Sequence, residues 1–478
     1  MPHAPRFRYE SLADWITGLV DAGTLMPGER APSLREVARQ QRTSLTTAMQ
    51  AYRLLEDRGV LQARPQSGFY VARPAPALPV PAPTRPPLRP SEVALSALML
   101  QMLEHASDPR YVPLGCAIPS PALLGSGKLD QMLARTARRH GVQHNTYSVP
   151  RGEAALRREI AKRAARWGQS LSPEDIVITC GCTEALALAL RAVTRPGDTV
   201  AIESPSYFGL LQVLRMLGLK ALELPTDAHR GVDLAALRGA LARQPVQACV
   251  LASCFSNPLG CTMSETDKLA LLDLLAQHQV PLVEDDVYGD LHFGEQRPRP
   301  FSALDGQGLT LYCGSYSKSL APGYRIGWVA APRHLAAVLE AKFSSTLAAP
   351  VLPQLALAEF LASGGLDHHL RRLRRVFADT LQRMHAGIAS GFPAGTKVSQ
   401  PAGGFVLWLE LPKALDSRAL FAQALDKRIC FAPGVVFSAN GRHAHCLRLS
   451  GGHGWDARLD KGLRTLGTLV SRALDAAG

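Results

Sequence analysis

Apolar positions recur along the chain with two different periods, and the change of period divides it. Between residues 8 and 72, Leu12, Trp15, Ile16, Leu19 and Val20 fall at helical spacing and stop at Gly23. Pro27-Gly28 predicts a turn. Ser33-Leu34-Arg35-Glu36 predicts a capping box opening a short helix to about Gln40. A third helix, Thr46 to Arg58, should pack through Ala48, Tyr52 and Leu55 and end at Gly59. Val60-Leu61 and Phe69-Tyr70-Val71 then predict a hairpin around residues 65–68.

Residues 74–90, PAPALPVPAPTRPPLRP, break the pattern. So much proline predicts a semi-stiff extended spacer between domains. From about residue 91, short β-rich runs at 175–180, 199–203, 220–224, 248–253, 281–285, 309–314 and 326–330 alternate with helical patterns such as Glu184–Val193, Tyr207–Leu217 and Glu265–His278. That alternation predicts an α/β fold with a mostly parallel sheet and helices on both faces. Ligands in such folds sit at the carboxyl ends of the strands. The expected division is an N-terminal domain over 8–73, the spacer, and a large unit over 91–474. That unit should have a large part near 130–350 and a smaller α/β part from 91–130 and 355–474.

Composition narrows the function. The 478 residues are 46% hydrophobic and carry a net charge of +13, with a mean hydropathy of zero. No apolar run reaches spanning length and no charged-then-apolar leader opens the chain, so a cytoplasmic protein is expected. Nine scattered cysteines point to reduced thiols. His443-x-His445-Cys446 lacks a second ligand group and reads as a solvated loop, so no metal is expected. The positive charge suggests an anionic partner, though the basic residues are spread along the whole chain.

The candidate chemistry centres on SYSKSLAPGYRIGW, residues 315–328. A lysine at a strand end can lose its proton when buried and attack a carbonyl. Ser315, Ser317 and Arg325 would suit a phosphate beside the Lys318 amine. After another predicted strand, Gly181, Cys182 and Thr183 form a glycine turn opening a helix, a second phosphate-binding feature.

The S-x-S-K-x-x-x-P-G-x-R-x-G pattern resembles the lysine segment of fold-type I aminotransferases, which bind pyridoxal 5'-phosphate. The resemblance implies that Lys318 holds the cofactor as a Schiff base while Ser315, Ser317, Arg325 and the turn at Gly181, Cys182 and Thr183 hold its phosphate. It further implies that Tyr207 in Glu203-Ser-Pro-Ser-Tyr stacks on the ring. Asn257 in Asn-Pro-Leu-Gly and Tyr288 would meet the phenolic oxygen. Asp285 in Asp-x-x-Tyr would pair with the ring nitrogen, the spacing favouring it over Asp286. Tyr147, in Y-x-x-x-x-G-x-x-x-L-R, would reach the phosphate of a partner subunit in a homodimer. Arg448 in Cys-Leu-Arg-Leu-Ser would grip a substrate carboxylate.

Residues 8–72 resemble the GntR-type winged helix-turn-helix through L-x-P-G-E-R-x-P-S-x-R-E-x-A, T-x-x-A-Y-x-x-L-x-x-x-G and R-P-x-S-G-x-Y-V. That resemblance implies that Arg35, Ser44, Thr46 and Thr47 lie against double-stranded DNA, with Arg64 and Gly68 placing the wing. Where many relatives carry an arginine early in the recognition helix, this chain has Leu45. The combination is similar to the MocR-type bacterial regulators. It implies a pyridoxal-phosphate-dependent transcription regulator whose amine or amino-acid effector forms an aldimine with the cofactor. A working aminotransferase with a DNA-binding arm, and a sensor of pyridoxal phosphate itself, are the alternatives.

Overall fold

The computed structural model describes residues 8–57, 59–64, 67–72, 78–93, 97–141 and 145–477, and side chains for nearly all of these. The chain forms two compact units, Met1–Ala77 and Leu78–Gly478.

In the N-terminal unit α1 (Arg8–Asp21), α2 (Leu34–Gln40) and α3 (Leu45–Asp57) precede an antiparallel hairpin of β1 (Leu61–Arg64) and β2 (Gly68–Val71). Ser33 and Glu36 make the reciprocal capping box at the start of α2. Ile16, Val37, Ala48, Tyr52 and Leu55 close one small core with no exposure. The Tyr52 hydroxyl donates to the Pro32 carbonyl at 2.6 Å, so this buried phenol is satisfied.

The C-terminal unit is built on an eight-stranded sheet. Its strands are β3 (Ile176–Thr179), β4 (Thr199–Ser204), β5 (Lys220–Asp227), β6 (Gly231–Val232), β7 (Ala248–Ala252), β8 (Leu282–Asp285), β9 (Thr310–Ser315) and β10 (Gly327–Ala330). The order is β3-β10-β9-β8-β7-β4-β5-β6. Strand β10 runs antiparallel to both neighbours, and β6 runs antiparallel to β5 at the edge. Continuous burial along β3, β4 and β9 explains their unbroken apolar runs, since helices cover both faces. A second, four-stranded sheet contains Val406–Glu410 and Cys446–Ser450 and packs with the long helices Gly365–Gly391 and Ala457–Asp475. The pairing of Val112–Pro113 with Ile429–Cys430 ties residues near 112 to this part.

Two expectations need correction. Cys446 starts a strand and is buried, while the half-buried His443 ring meets Trp408 edge to face at 5.8 Å. The His443–Cys446 segment is therefore packed rather than solvated, and burial pushes His443 down to about 4.

The second correction concerns residues 78–91, which do not stand free as a spacer. Leu78 and Val80 pack on the core around the small sheet, and Leu88 packs on the core beneath β5. Val398 N–H donates to the Pro79 carbonyl at 2.9 Å. The Thr84 hydroxyl donates to the Ser204 carbonyl at 2.7 Å and accepts from Thr226 N–H at 3.0 Å. Ser91 bridges to Ala221. Proline is compatible with this because an edge strap needs few donors of its own. The amides of Thr84 and Ser91 are expected to exchange slowly with deuterated solvent, and Thr84→Val to raise both rates. Fast exchange at both in the wild-type protein would contradict the strap.

Candidate active site

The site lies where β3, β4, β7, β8 and β9 all present their carboxyl ends. Their following loops surround a cavity of about 250 Å³ lined by Cys182, Thr183, Glu203, Tyr207, Asn257, Asp285, Tyr288, Ser315, Ser317, Lys318 and Arg325, among others. Sequence positions from 182 to 325 thus meet in one wall.

Lys318 lies three residues past the end of β9, and its Nζ donates to the Ala117 carbonyl at 2.7 Å. Burial, reinforced by the Arg448 charge, pushes this amine down to about 8. Asp285 ends β8 and receives the Cys182 thiol at 3.6 Å. Burial lifts its carboxyl to about 6, so it is ionised at neutral pH. The neighbouring Asp286 points elsewhere: it pairs with Arg297 and accepts from Tyr312 Oη at 2.9 Å. Alternation along the strand end puts the two carboxylates on opposite sides.

The phosphate-type features converge as well. The helix Cys182–Val193 begins at Gly181, whose φ of +91° suits glycine, and no side chain caps its first N–H groups. Arg325 donates from Nη2 to the Cys180 carbonyl at 3.0 Å. Ser315 Oγ donates to Ser317 Oγ at 2.8 Å, and Ser317 lines the cavity with Arg325. A Cβ on Gly327 would stand 2.6 Å from the Gly181 carbonyl carbon. Gly327→Ala is therefore expected to displace this turn and weaken phosphate binding by about tenfold, measured by equilibrium dialysis with pyridoxal phosphate.

Arg448 is fully buried on its strand. Its Nη1 donates to Asn257 Oδ1 at 2.9 Å and Nη2 to the Gly115 carbonyl, while Nε is buried with no partner. The Phe437 ring lies 5.1 Å away. Burial depresses its pKa despite the neighbouring Tyr288. The Tyr288 hydroxyl is also buried without a hydrogen-bond partner. Tyr207 lines the cavity and is raised to about 12, chiefly by burial.

Tyr147 is not brought to this site within the chain; it is 87% exposed. In the N-terminal unit Arg35, Ser44 and Thr46 are exposed and Thr47 is half-buried. Ser44 caps α3 by accepting from Thr47 N–H at 3.0 Å. Gly68 has a φ of +100° in the hairpin turn. The Arg64 side chain lies outside the described residues.

Some contributors carried no sequence signal. Glu203 lines the cavity and burial lifts it to about 8. The carbonyls of Gly115 and Ala117 come from a loop whose place no spacing predicts. Lys342, fully buried, binds Glu184 at 3.0 Å, and Glu184 in turn accepts from the Cys180 N–H, so residues near 342 brace the glycine turn from outside.

Two family models match the chain. "Bacterial regulatory proteins, gntR family" matches residues 8–71, and "Aminotransferase class I and II" matches 122–466. The uncharacterized HTH-type transcriptional regulator YdcR of Escherichia coli is 40% identical, covering 98% of this chain and 100% of that protein. The probable rhizopine catabolism regulatory protein MocR of Rhizobium meliloti is 29% identical over 89% of this chain and 86% of its own length. The chain belongs to the MocR-type transcriptional regulators.

Among solved structures, the α-aminoadipate aminotransferase LysN of Thermus thermophilus, complexed with N-(5'-phosphopyridoxyl)-L-leucine, superposes with a TM-score of 0.74. It is 31% identical and covers 80% of this chain and 96% of its own. A MocR-type regulator therefore pairs a GntR-type head with a fold-type I effector domain, and its cofactor is pyridoxal 5'-phosphate. The residues present fit that group. An uncapped helix start and Arg325 await an anion, Asp285 awaits a cation, the Tyr288 hydroxyl lacks a partner, and a depressed-pKa amine faces the same cavity.

Proposed function

We propose that this MocR-type regulator responds to an α-amino acid, whose carboxylate is held by Arg448 and whose amine meets the cofactor at Lys318. The observation that carries this reading is the guanidinium itself. Among the described residues Arg448 is fully buried, has no carboxylate bonded to it, and leaves Nε unpaired. A buried cation without a counter-ion is costly unless a ligand supplies the anion. Pyridoxal phosphate, when bound, supplies an electrophilic carbonyl and an electron-withdrawing ring.

The chain's own groups suit that chemistry. Lys318 is deprotonated in part at neutral pH, and the free amine is the attacking form. Asp285, as a carboxylate, would keep a ring nitrogen protonated. Capture of pyridoxal phosphate by the apo protein is expected to accelerate as pH rises to about 8 and then level off. A stopped-flow pH series checks this; acceleration continuing to about pH 10, as for an exposed lysine, would contradict it.

Arg448 lies on the small-sheet strand and bonds Asn257 of the large sheet's loops. A carboxylate arriving there would compete for the same guanidinium, shifting one part against the other. The active form is taken as a cytoplasmic homodimer, supported by the exposed Tyr147, with two GntR-type heads on one operator. The test is titration of amino acids against their decarboxylated amines, with operator binding as readout. Amino acids that change DNA binding where the matching amines do not support the reading; equal responses sink it.

A second reading, a working aminotransferase, is favoured by the joint presence of Lys318 and Asp285 in one cavity. Steady product formation on adding a keto acid would establish that activity in place of pure ligand sensing.

A further inference from the structure

The recognition-helix position at which this chain departs from many relatives becomes informative once its exposure is known. Leu45 opens α3 and is 47% exposed; Met49, one turn on, is 38% exposed. Residues four apart lie side by side on a helix, so the two form one apolar strip. The unit's own core does not use them, although it fully buries Ala48, Tyr52 and Leu55 on the adjoining face. The strip is flanked on the same helix by exposed Thr46, Gln50 and Arg53.

The polar groups at the start of α3 are already occupied. Ser44 Oγ accepts from Thr47 N–H and shares a hydrogen bond with Thr47 Oγ1 at 2.8 Å. Thr46 beside them is exposed and can bond either kind of base, but no arginine, lysine, asparagine or glutamine stands in the helix's first turn to make a selective bidentate pair. On the preceding helix and in the turn that leads into α3, Arg35, Arg39 and Arg42 are exposed, a positive setting that matches a phosphate backbone rather than an apolar protein groove. The occupant argued from this charge is duplex DNA.

We infer that Leu45 and Met49 read the operator through apolar contact with thymine C5-methyl groups in the major groove, in place of an arginine–guanine pair. Thymine alone among the four bases offers a methyl there. The flanking arginines position the head without selecting sequence. The operator half-site therefore carries T·A under Leu45. This rests on the GntR-type head binding DNA as its family does.

The full-length protein is used to select sites from a random duplex pool, with wild type and Leu45→Arg in parallel. The base pair whose preference changes marks the position under Leu45. The expected result is T·A for wild type and G·C for Leu45→Arg. Deoxyuridine in place of that thymine removes only the methyl. It should weaken wild-type binding about threefold to fivefold, the scale of one methyl-sized group leaving an apolar contact. The same swap should leave Leu45→Ala unchanged, and Met49→Gln gives a second variant should Leu45→Ala fold poorly. A selected site bound equally with thymine and uracil overturns the apolar readout while leaving DNA binding intact. A Leu45→Arg variant with unchanged preference also overturns it and assigns the strip to another partner. Failure of the wild-type protein to select any site overturns both this inference and the family reading of the head.

Discussion

Lys318→Ala is expected to lose pyridoxal phosphate completely on desalting, together with the visible absorbance band of the bound cofactor, while the protein stays folded. The cause is geometric. Lys318 is the one amine among the residues that line the cavity, and it sits within hydrogen-bond reach of a carbonyl at 2.7 Å rather than of a carboxylate. Its removal therefore breaks no salt bridge, although Asp285 loses a nearby charge that favours its carboxylate form, and the depressed pKa means that burial already penalised the charged lysine. Stability is expected to hold or rise slightly, because the burial penalty on the ammonium disappears. Cofactor content by absorbance after alkaline release, and circular dichroism for folding, check the two halves. Retention of the full cofactor in the variant would mean that phosphate contacts alone suffice and that Lys318 has another task.

The second large effect belongs to Arg448. Arg448→Met should lower affinity for amino-acid effectors about 100-fold, within the range for removing one partner of a buried charge pair. Affinity for the corresponding amines should fall far less. Loss of the guanidinium also leaves Asn257 Oδ1 and the Gly115 carbonyl without their donor. That cost opposes the relief of removing an unpaired buried cation, so the thermal midpoint should move little. Calorimetric titration of an amino acid and its decarboxylated amine into both proteins separates the cases. An equal loss for both ligands would reduce Arg448 to a packing element.

The strands, and the gathering of the singled-out residues around one cavity, were legible because each carries its own short code. Apolar runs marked β3 to β10 within a residue or two, apart from β5, which runs three residues further, and the two-residue edge strand β6, and most of the singled-out wall residues lie at or soon after the carboxyl end of a strand. That Asp285 rather than Asp286 lines the cavity follows from strand alternation, which turns Asp286 toward Arg297 and Tyr312. What escaped has a common physical cause. Ala117 and Gly115 contribute backbone carbonyls, which carry no residue code at all. Lys342 reaches Glu184 across 158 positions, a pairing that only the fold creates. The proline-rich stretch misled because composition reports the absence of regular structure, whereas docking depends on a surface elsewhere.

That docking changes the leash on which the GntR-type head is held. A free spacer would begin at residue 74 and run to residue 90; a docked strap surrenders everything from Leu78 onward to the effector unit. The path left between Ala72 and Leu78 spans at most about 20 Å even when drawn out fully. The length of free chain before the head is then set by where Leu78 is moored, rather than by how much proline the chain carries. In the proposed dimer, lengthening the chain before Leu78 should loosen the permitted spacing of half-sites. Cutting residues out between Pro79 and Pro90 should instead unmoor the head without shortening its reach.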